Sequence, residues 1–280
     1  MSLPTDLREA VLTLAQTPHL LLALDFDGTM APLVSRAQDA RPLPGSAAAF
    51  AALATLEGTT TALISGRALA SLRLVASPPP PTLLVGSHGA ETWWGPNSPA
   101  LELAPAQEEA LAHARAAVAS AVSSFPGTVA EQKPAGVVLH YRLASDTDGQ
   151  AAVHRVRTAL DGDPAFHITT GKMVLEISVL NANKGESLTA LRTFSGATAT
   201  FFAGDDVTDE HAFAALQPGD LGVKVGPGDT SAAFRIPDES ALPELLELLL
   251  ETRSRTHPAQ YPNTNVSTNA SANPSGFPGG

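Results

Sequence analysis

At 280 residues with 44% hydrophobic content, the chain can bury a sizeable core, as one large domain or two modest ones. Its formal charge of −11 argues against nucleic acid or an anionic membrane as partner, because phosphate backbones are held by clustered Lys and Arg, and points to a small-molecule substrate. No cysteine is present, which excludes disulfides, thiolate metal ligands and a cysteine nucleophile.

Residues 1–18 carry Asp6, Arg8 and Glu9 in a helix-like pattern, and the apolar run that follows is cut short by Asp25. This is neither a signal peptide nor a membrane span, so a cytoplasmic location is expected, with a monomer as the working assembly. Residues 20–24 (Leu-Leu-Leu-Ala-Leu) are apolar on both faces and end at a turn, as a central parallel strand should. Similar strands are expected at 60–64, 82–85, 199–203 and 221–225, with helices at 45–56 and 187–194. Alternating strand and helix predict an open, parallel, Rossmann-like α/β sheet with function in the loops after the strands.

The middle of the chain has a different rhythm. A long helix over 107–122, a strand over 136–141, a second helix over 150–160 and strand-like pieces at 166–170 and 173–179 read as a small inserted α+β unit. The expected division is a core over 1–103 and 181–254 with the insertion at 104–180. From about Arg253 the chain is Thr, Ser, Asn, Pro and Gly with few apolar residues, and 255–280 are expected to form a disordered tail.

Chemistry concentrates where the strands end. Asp25-Phe26-Asp27-Gly28-Thr29 puts two carboxylates around a strand end, with Gly28 for a sharp turn and the Thr29 hydroxyl beside them. Acids so placed need a cation or a proton between them, and a hard, oxygen-seeking ion such as Mg2+ suits them. Taken alone, the segment is also compatible with an ordinary Asp-Gly turn. Ser65-Gly66-Arg67 offers a hydroxyl, an amide and a guanidinium at a helix start, a place that favours phosphate. Lys184 precedes another helix, as a phosphate-neutralising charge or as one more solvated lysine. Gly204-Asp205-Asp206-Val207-Thr208-Asp209-Glu210 then sets four acids in six positions, more than helix capping alone explains.

In this order the segments resemble the haloacid dehalogenase superfamily of aspartate-nucleophile phosphatases. The resemblance implies that Asp25 is the nucleophile and Asp27 the general acid and base. It implies that Asp25, the Asp27 carbonyl and Asp205 hold Mg2+ with Asp206 or Asp209, and that Ser65 and Lys184 hold the transferring phosphoryl group. Gly86-Ser87-His88-Gly89-Ala90-Glu91, Glu131-Gln132-Lys133 and His140-Tyr141-Arg142 extend the match, and the whole set is similar to trehalose-6-phosphate phosphatases.

That family carries an α+β cap, so the resemblance implies a sugar phosphate as the small-molecule partner. Glu131, Lys133, His140, Arg142 and Glu176 would then meet the sugar hydroxyls, with Thr29, Gly66, Arg67 and His88 lining the pocket. His140 and Arg142, two apart on a strand, would share one face, which is equally the pattern of a solvated hairpin. Trp93 and Trp94 read as packing residues ahead of sugar stackers. One departure is Glu176-Ile177-Ser178-Val179, where the family commonly has an Arg-Pro pair after the glutamate; it bears on the cap hinge.

Rival readings are a phosphatase for sucrose-6-phosphate or mannosyl-3-phosphoglycerate, a receiver-type phospho-aspartate domain, and an inactive sugar-phosphate binder. A receiver would have neither the insertion nor a water-activating Asp27.

Overall fold

The computed structural model describes residues 3–259. The chain opens with α1 (Thr5–Leu14), β1 (Leu20–Leu24), α2 (Pro44–Leu53), β2 (Thr59–Ile64), α3 (Leu69–Ala76), β3 (Leu83–Gly86) and β4 (Glu91–Trp93). It then runs through α4 (Pro105–Ser124), β5 (Val129–Lys133), β6 (Gly136–His140), α5 (Asp146–Leu160), β7 (His167–Gly171) and β8 (Val174–Ser178). It closes with α6 (Lys184–Ser195), β9 (Ala199–Gly204), α7 (Asp209–Ala214), β10 (Leu221–Val225), β11 (Phe234–Ile236) and α8 (Leu242–Arg253).

Seven strands form one sheet in the order β11-β10-β9-β1-β2-β3-β4, parallel except for the last pair. β1 is apolar throughout because both its faces are covered. Leu20, Leu22 and Leu24 join one cluster with α1, α2 and α8, while Leu21 and Ala23 join the other with α6 and α7. Each such leucine contributes roughly 1.5–3 kcal/mol by burial. The central strand therefore cannot shift register without exposing one face.

The second sheet runs β5-β6-β8-β7 and is antiparallel. α4 lays Leu111, Ala114, Val118 and Ala121 on its back, α5 lays Ala152, Val156 and Leu160, and Val137, Leu139, Leu175 and Ile177 meet them from the strands. These spacings are the i, i+3, i+4, i+7 stripe of an amphipathic helix. The opposite face of the sheet, bearing Glu131, Lys133 and Glu176, is left polar.

Three expectations are corrected. β5 has no counterpart in the sequence reading: Ala-Glu-Gln-Lys has weak strand preference and is held as an edge strand by its pairing with β6. The strand expected over 136–141 stops at His140, so Arg142 stands in the turn beyond it and does not share a strand face with His140. The order of the chain also persists past Arg253. That side chain is fully buried, donating to the carbonyls of Ala15, Thr17, Pro18 and Gly58 and to the Thr59 hydroxyl. Ala259 bridges to Leu56, and the remainder of the expected tail lies outside the described residues.

Trp93 packs against the main core beneath the Arg73 guanidinium, and Trp94 packs on Phe194 with the rings tilted by 58° and their centroids 4.8 Å apart, so both serve packing. Where the Arg-Pro pair was missed, the Ser178 hydroxyl donates to Leu180 O at 2.9 Å and accepts from Leu180 N–H at 3.1 Å. It closes the return crossing out of the second sheet. Among the described residues no helix is long and apolar enough to cross a membrane.

Candidate active site

The motifs meet because β1 lies between β9 and β2, so the segments leaving their carboxyl ends face one crevice. After β1 the backbone reverses at once: Gly28 N–H donates to Ala31 O at 2.7 Å, and the Met30 and Ala31 N–H groups both donate to Phe26 O. Gly28 has φ +83°, and a Cβ there would stand 2.2 Å from Asp205 Oδ2. Glycine is needed both for the turn and for the approach of Asp205. Gly204 serves Asp209 in the same way, since its Cβ would fall 2.2 Å from Asp209 Cγ.

Asp25 is buried, and its Oδ1 accepts from Lys184 Nζ at 2.6 Å. The same ammonium donates to Asp209 Oδ1 at 2.7 Å. Lys184 is delivered by the first turn of α6, whose cap Asn183 accepts from the Glu186 N–H. Asp25, Asp205 and Asp209 each bring one carboxylate oxygen into a group whose members lie within 4.8 Å of one another. The buried Thr29 hydroxyl donates to Asp205 Oδ1 at 3.4 Å. Asp206 is engaged at the start of α7, accepting from the Thr208 N–H and hydroxyl and from the Asp209 N–H.

Burial raises Asp25 well above the ordinary carboxylate range; Lys184 opposes this, while Asp209, Asp205 and Asp206 add to it. Asp205 is pushed up to about 6 by burial and then by Asp209 and Asp206. Burial raises Asp209 too, against the pull of Lys184. For Lys184 burial works downward, but Asp25, Asp209 and Asp206 outweigh it and keep the ammonium charged. Crowded carboxylates of this kind repel unless a cation sits among them, and an all-oxygen donor set with two glycine-made clearances fits a hard divalent ion.

On the β2 side, the buried Ser65 hydroxyl accepts from the Arg67 N–H at 3.2 Å and keeps its own proton to offer. Arg67 makes a two-point pair with Asp27, Nε to Oδ2 and Nη2 to Oδ1, each 2.6 Å. It also donates from Nη1 to Ala37 O at 2.8 Å. The guanidinium expected on phosphate is thus on the second aspartate. His88 sits at φ 55° with its ring against Gly66, where a Cβ would come 2.4 Å from Nε2.

The polar face of the second sheet closes over these loops. Lys133 Nζ donates to Gly66 O at 2.9 Å and to Glu176 Oε1 at 2.6 Å, while Glu176 Oε2 lies 3.3 Å from His88 Nε2. Although burial opposes it, hydrogen bonding from His88 and the charge of Lys133 lower Glu176 to about 2. Farther out, Glu131 Oε2 meets His140 Nε2 at 2.7 Å with both side chains exposed, and that bond lowers the Glu131 pKa. Arg142 is exposed with no side-chain partner among the described residues.

Two contributors were given no role in the sequence reading, although Glu91 closes one of its motifs. Glu91 Oε2 accepts from the Ser87 hydroxyl at 2.6 Å and from the Leu69 N–H at 3.3 Å, bracing the His88 loop. Lys224, buried in β10, donates to the carbonyl of Asp205. Its signal was in view: a lysine inside an otherwise apolar strand needs a partner.

An open parallel sheet with carboxylates and a lysine at its carboxyl edge, closed by an α+β cap, defines a haloacid dehalogenase-type fold. In structure the chain is similar to the C-terminal domain of Candida albicans trehalose-6-phosphate phosphatase, with a TM-score of 0.74 at 22% identity over 87% of this chain and 97% of that one. It is also similar to a trehalose-6-phosphate phosphatase related protein, with a TM-score of 0.67 at 24% identity over 84% and 99%. Residues 23–239 match the trehalose-phosphatase family model, and the chain belongs to that family. Among relatives, it is 34% identical to a trehalose-phosphate phosphatase of Mycobacterium avium, over 85% of this chain and 63% of that protein. It is 32% identical to a probable trehalose-phosphate phosphatase of Sinorhizobium fredii, over 81% and 86%. It is likewise 32% identical to a bifunctional trehalose-6-phosphate synthase/phosphatase of Thermoproteus tenax, over 84% of this chain but 32% of that protein. The chain thus spans under two thirds of the length of the first and third of these relatives.

Proposed function

We propose that this chain is a magnesium-dependent phosphatase that hydrolyses trehalose-6-phosphate to trehalose and phosphate, with residues 104–180 acting as the cap. One observation carries the reading: Asp205 joins the buried Asp25, Asp209 and Lys184 in one group, beneath a polar sheet face that bears Glu131, Lys133 and Glu176. Membership in the trehalose-phosphatase family and similarity to trehalose-phosphate phosphatases support the choice of substrate.

In this reading an Asp25 oxygen attacks phosphorus, and the bond from phosphorus to the sugar oxygen breaks. Asp25 Oδ1 is tied to Lys184, whereas its second oxygen accepts no hydrogen bond among the described residues and is the candidate attacker. Ser65 donates to a phosphoryl oxygen and Lys184 offsets the charge spread over the group, which is the main task of a phosphoryl-transfer site. Asp27 gives a proton to the departing sugar oxygen, then takes one from the water that cleaves the aspartyl-phosphate and restores Asp25. Both Asp27 oxygens are held by Arg67, so this proton traffic requires the pair to loosen as substrate enters. Mg2+, with Asp25, Asp205, Asp209 and the Asp27 carbonyl as its ligands, would supply further neutralisation of the phosphoryl oxygens.

Lys133 and Glu176, with Glu131 and His140 beyond them, present donors and acceptors to sugar hydroxyls on one sheet face. Their contacts orient the substrate and exclude water without taking part in bond breaking. The test is phosphate release from trehalose-6-phosphate beside sucrose-6-phosphate and mannosyl-3-phosphoglycerate, with and without Mg2+. Trehalose-6-phosphate should be preferred and release should require the metal. Equal rates on all three would refute the substrate assignment, and release unaffected by chelation would refute the metal.

A further inference from the structure

We infer that Lys224 is a positioning residue for the metal-holding loop that follows β9, a role that rests on the proposed Mg2+ site. Lys224 lies next to the end of β10, where Val223 and Val225 enter the core cluster on one face and its own side chain leaves from the other. It is 4% exposed. A buried ammonium is costly unless its donors are used, and no carboxylate pairs with this one among the described residues. Its Nζ donates to the main-chain carbonyl of Asp205, with a longer 3.4 Å contact to that of Asp206.

Those two carbonyls belong to the residues on which the site turns. Asp205 must reach across the clearance left by Gly28, and Asp206 must hold the first turn of α7 so that Asp209 meets Lys184. In between, β9 has ended, and among the described residues no strand partner takes the Asp205 or Asp206 carbonyl. Lys224 therefore does for the loop what a neighbouring strand does for β9. It binds the backbone without engaging the Asp205 or Asp206 carboxylate.

Its charge has a second consequence. Of the acids at the site, Asp205 is acted on by Lys224 as well as by Lys184, both opposing the rise that burial, Asp209 and Asp206 give its carboxyl. Positioning and charge predict opposite effects on the metal, which makes the role testable. Losing a positive charge near the cation would tighten Mg2+ binding, whereas loosening the loop that carries Asp205 would weaken it. We assign the larger effect to the loop, because two of the three ligand carboxylates, Asp205 and Asp209, depend on its path.

The experiment is calorimetric titration of the metal-free full chain with MgCl2, for wild type, Lys224→Met and Lys224→Gln, alongside hydrogen exchange at residues 205–209 without metal. Met removes charge and donors; Gln removes the charge but keeps an N–H donor. Lys224→Met should bind Mg2+ at least about tenfold more weakly, as expected when a supporting partner of a metal ligand is lost, and exchange faster at 205–209. Lys224→Gln should fall between Met and wild type. Unchanged or tighter binding by either variant overturns the inference and leaves Lys224 as a charge or packing residue. If Lys224→Met does not fold, the Gln variant decides on the same terms. If wild type itself takes up no Mg2+, it is the proposed metal site that fails, and faster exchange in the variants still reports whether Lys224 holds the loop.

Discussion

The edge of the main sheet and the inner face of the cap sheet both carry acids paired with bases, yet they are built in opposite ways. At the sheet edge, Asp25, Asp209 and Lys184 are 4%, 0% and 2% exposed, and each is set by a strand end or a helix start. On the cap, the Glu131 and His140 side chains are 49% and 41% exposed, and among the described residues each has the other as its side-chain hydrogen-bond partner. Buried charges interact strongly because little water screens them, but they tolerate no misplacement. Exposed pairs contribute about 0–1 kcal/mol and can be traded for a ligand hydroxyl at little cost. The difference teaches where each task belongs: charge stabilisation at rigid buried groups, recognition at pairs that are easily opened.

If that division is right, damage to the two regions should differ in size and in kind. The largest effect belongs to Asp25→Asn, which preserves shape but removes the attacking charge and the partner of Lys184. Turnover on any phosphate ester should drop by three orders of magnitude or more, on the order of losses seen when a covalent step is removed. A variant keeping more than about a tenth of wild-type turnover would break the mechanism.

Glu131→Ala comes next and should discriminate between substrates. Its kcat/KM for trehalose-6-phosphate should fall by roughly ten- to a thousandfold, the loss of one or two charge-assisted hydrogen bonds. A small aryl phosphate, which does not extend to Glu131, should be hydrolysed at close to the wild-type rate. Parallel losses on both substrates would erase the distinction between the regions.

Glu176 gives the comparison a pH axis. His88 and Lys133 lower it from an ordinary 4.5 to about 2, so its stabilisation is complete above pH 4.5 and is lost as pH falls toward 2. Wild type should therefore lose stability through that window faster than Glu176→Gln, by about 1–3 kcal/mol, the range of a charge-assisted hydrogen bond. Urea unfolding at stepwise lower pH measures it, and superimposable curves would refute the hold of His88 and Lys133 on Glu176. The smallest effect is assigned to Arg142→Ala. Standing past the end of β6, it should change kcat/KM for trehalose-6-phosphate by less than about threefold, as a solvated surface residue does. A tenfold loss would show that the turn folds inward over bound sugar.

The sequence by itself determined the parts governed by local rules. The run Leu20–Leu24 read as a strand covered on both faces, Gly28 marked the turn, and the acids Asp205, Asp206 and Asp209 marked a strand end leading into a helix. Insertion of an α+β unit was legible from the long helical pattern over 107–122 and the strand and helix pieces after it; the stripe that the structure buries there, Leu111, Ala114 and Val118, follows the same helical period. Tertiary structure alone decided which side chains meet. It put Arg67 on Asp27, separated Arg142 from His140, set Asp209 and not Asp206 beside Lys184, and turned Arg253 from the start of a tail into a fully buried clasp. Only the folded chain made an edge strand of Val129–Lys133, whose residues have little reason to extend without β6 to pair with. The physical reason is one of range: backbone preference and hydrophobic period act over a few residues, whereas a pair such as Lys184 and Asp25, 159 residues apart, exists only once the sheet order has brought its strand ends together.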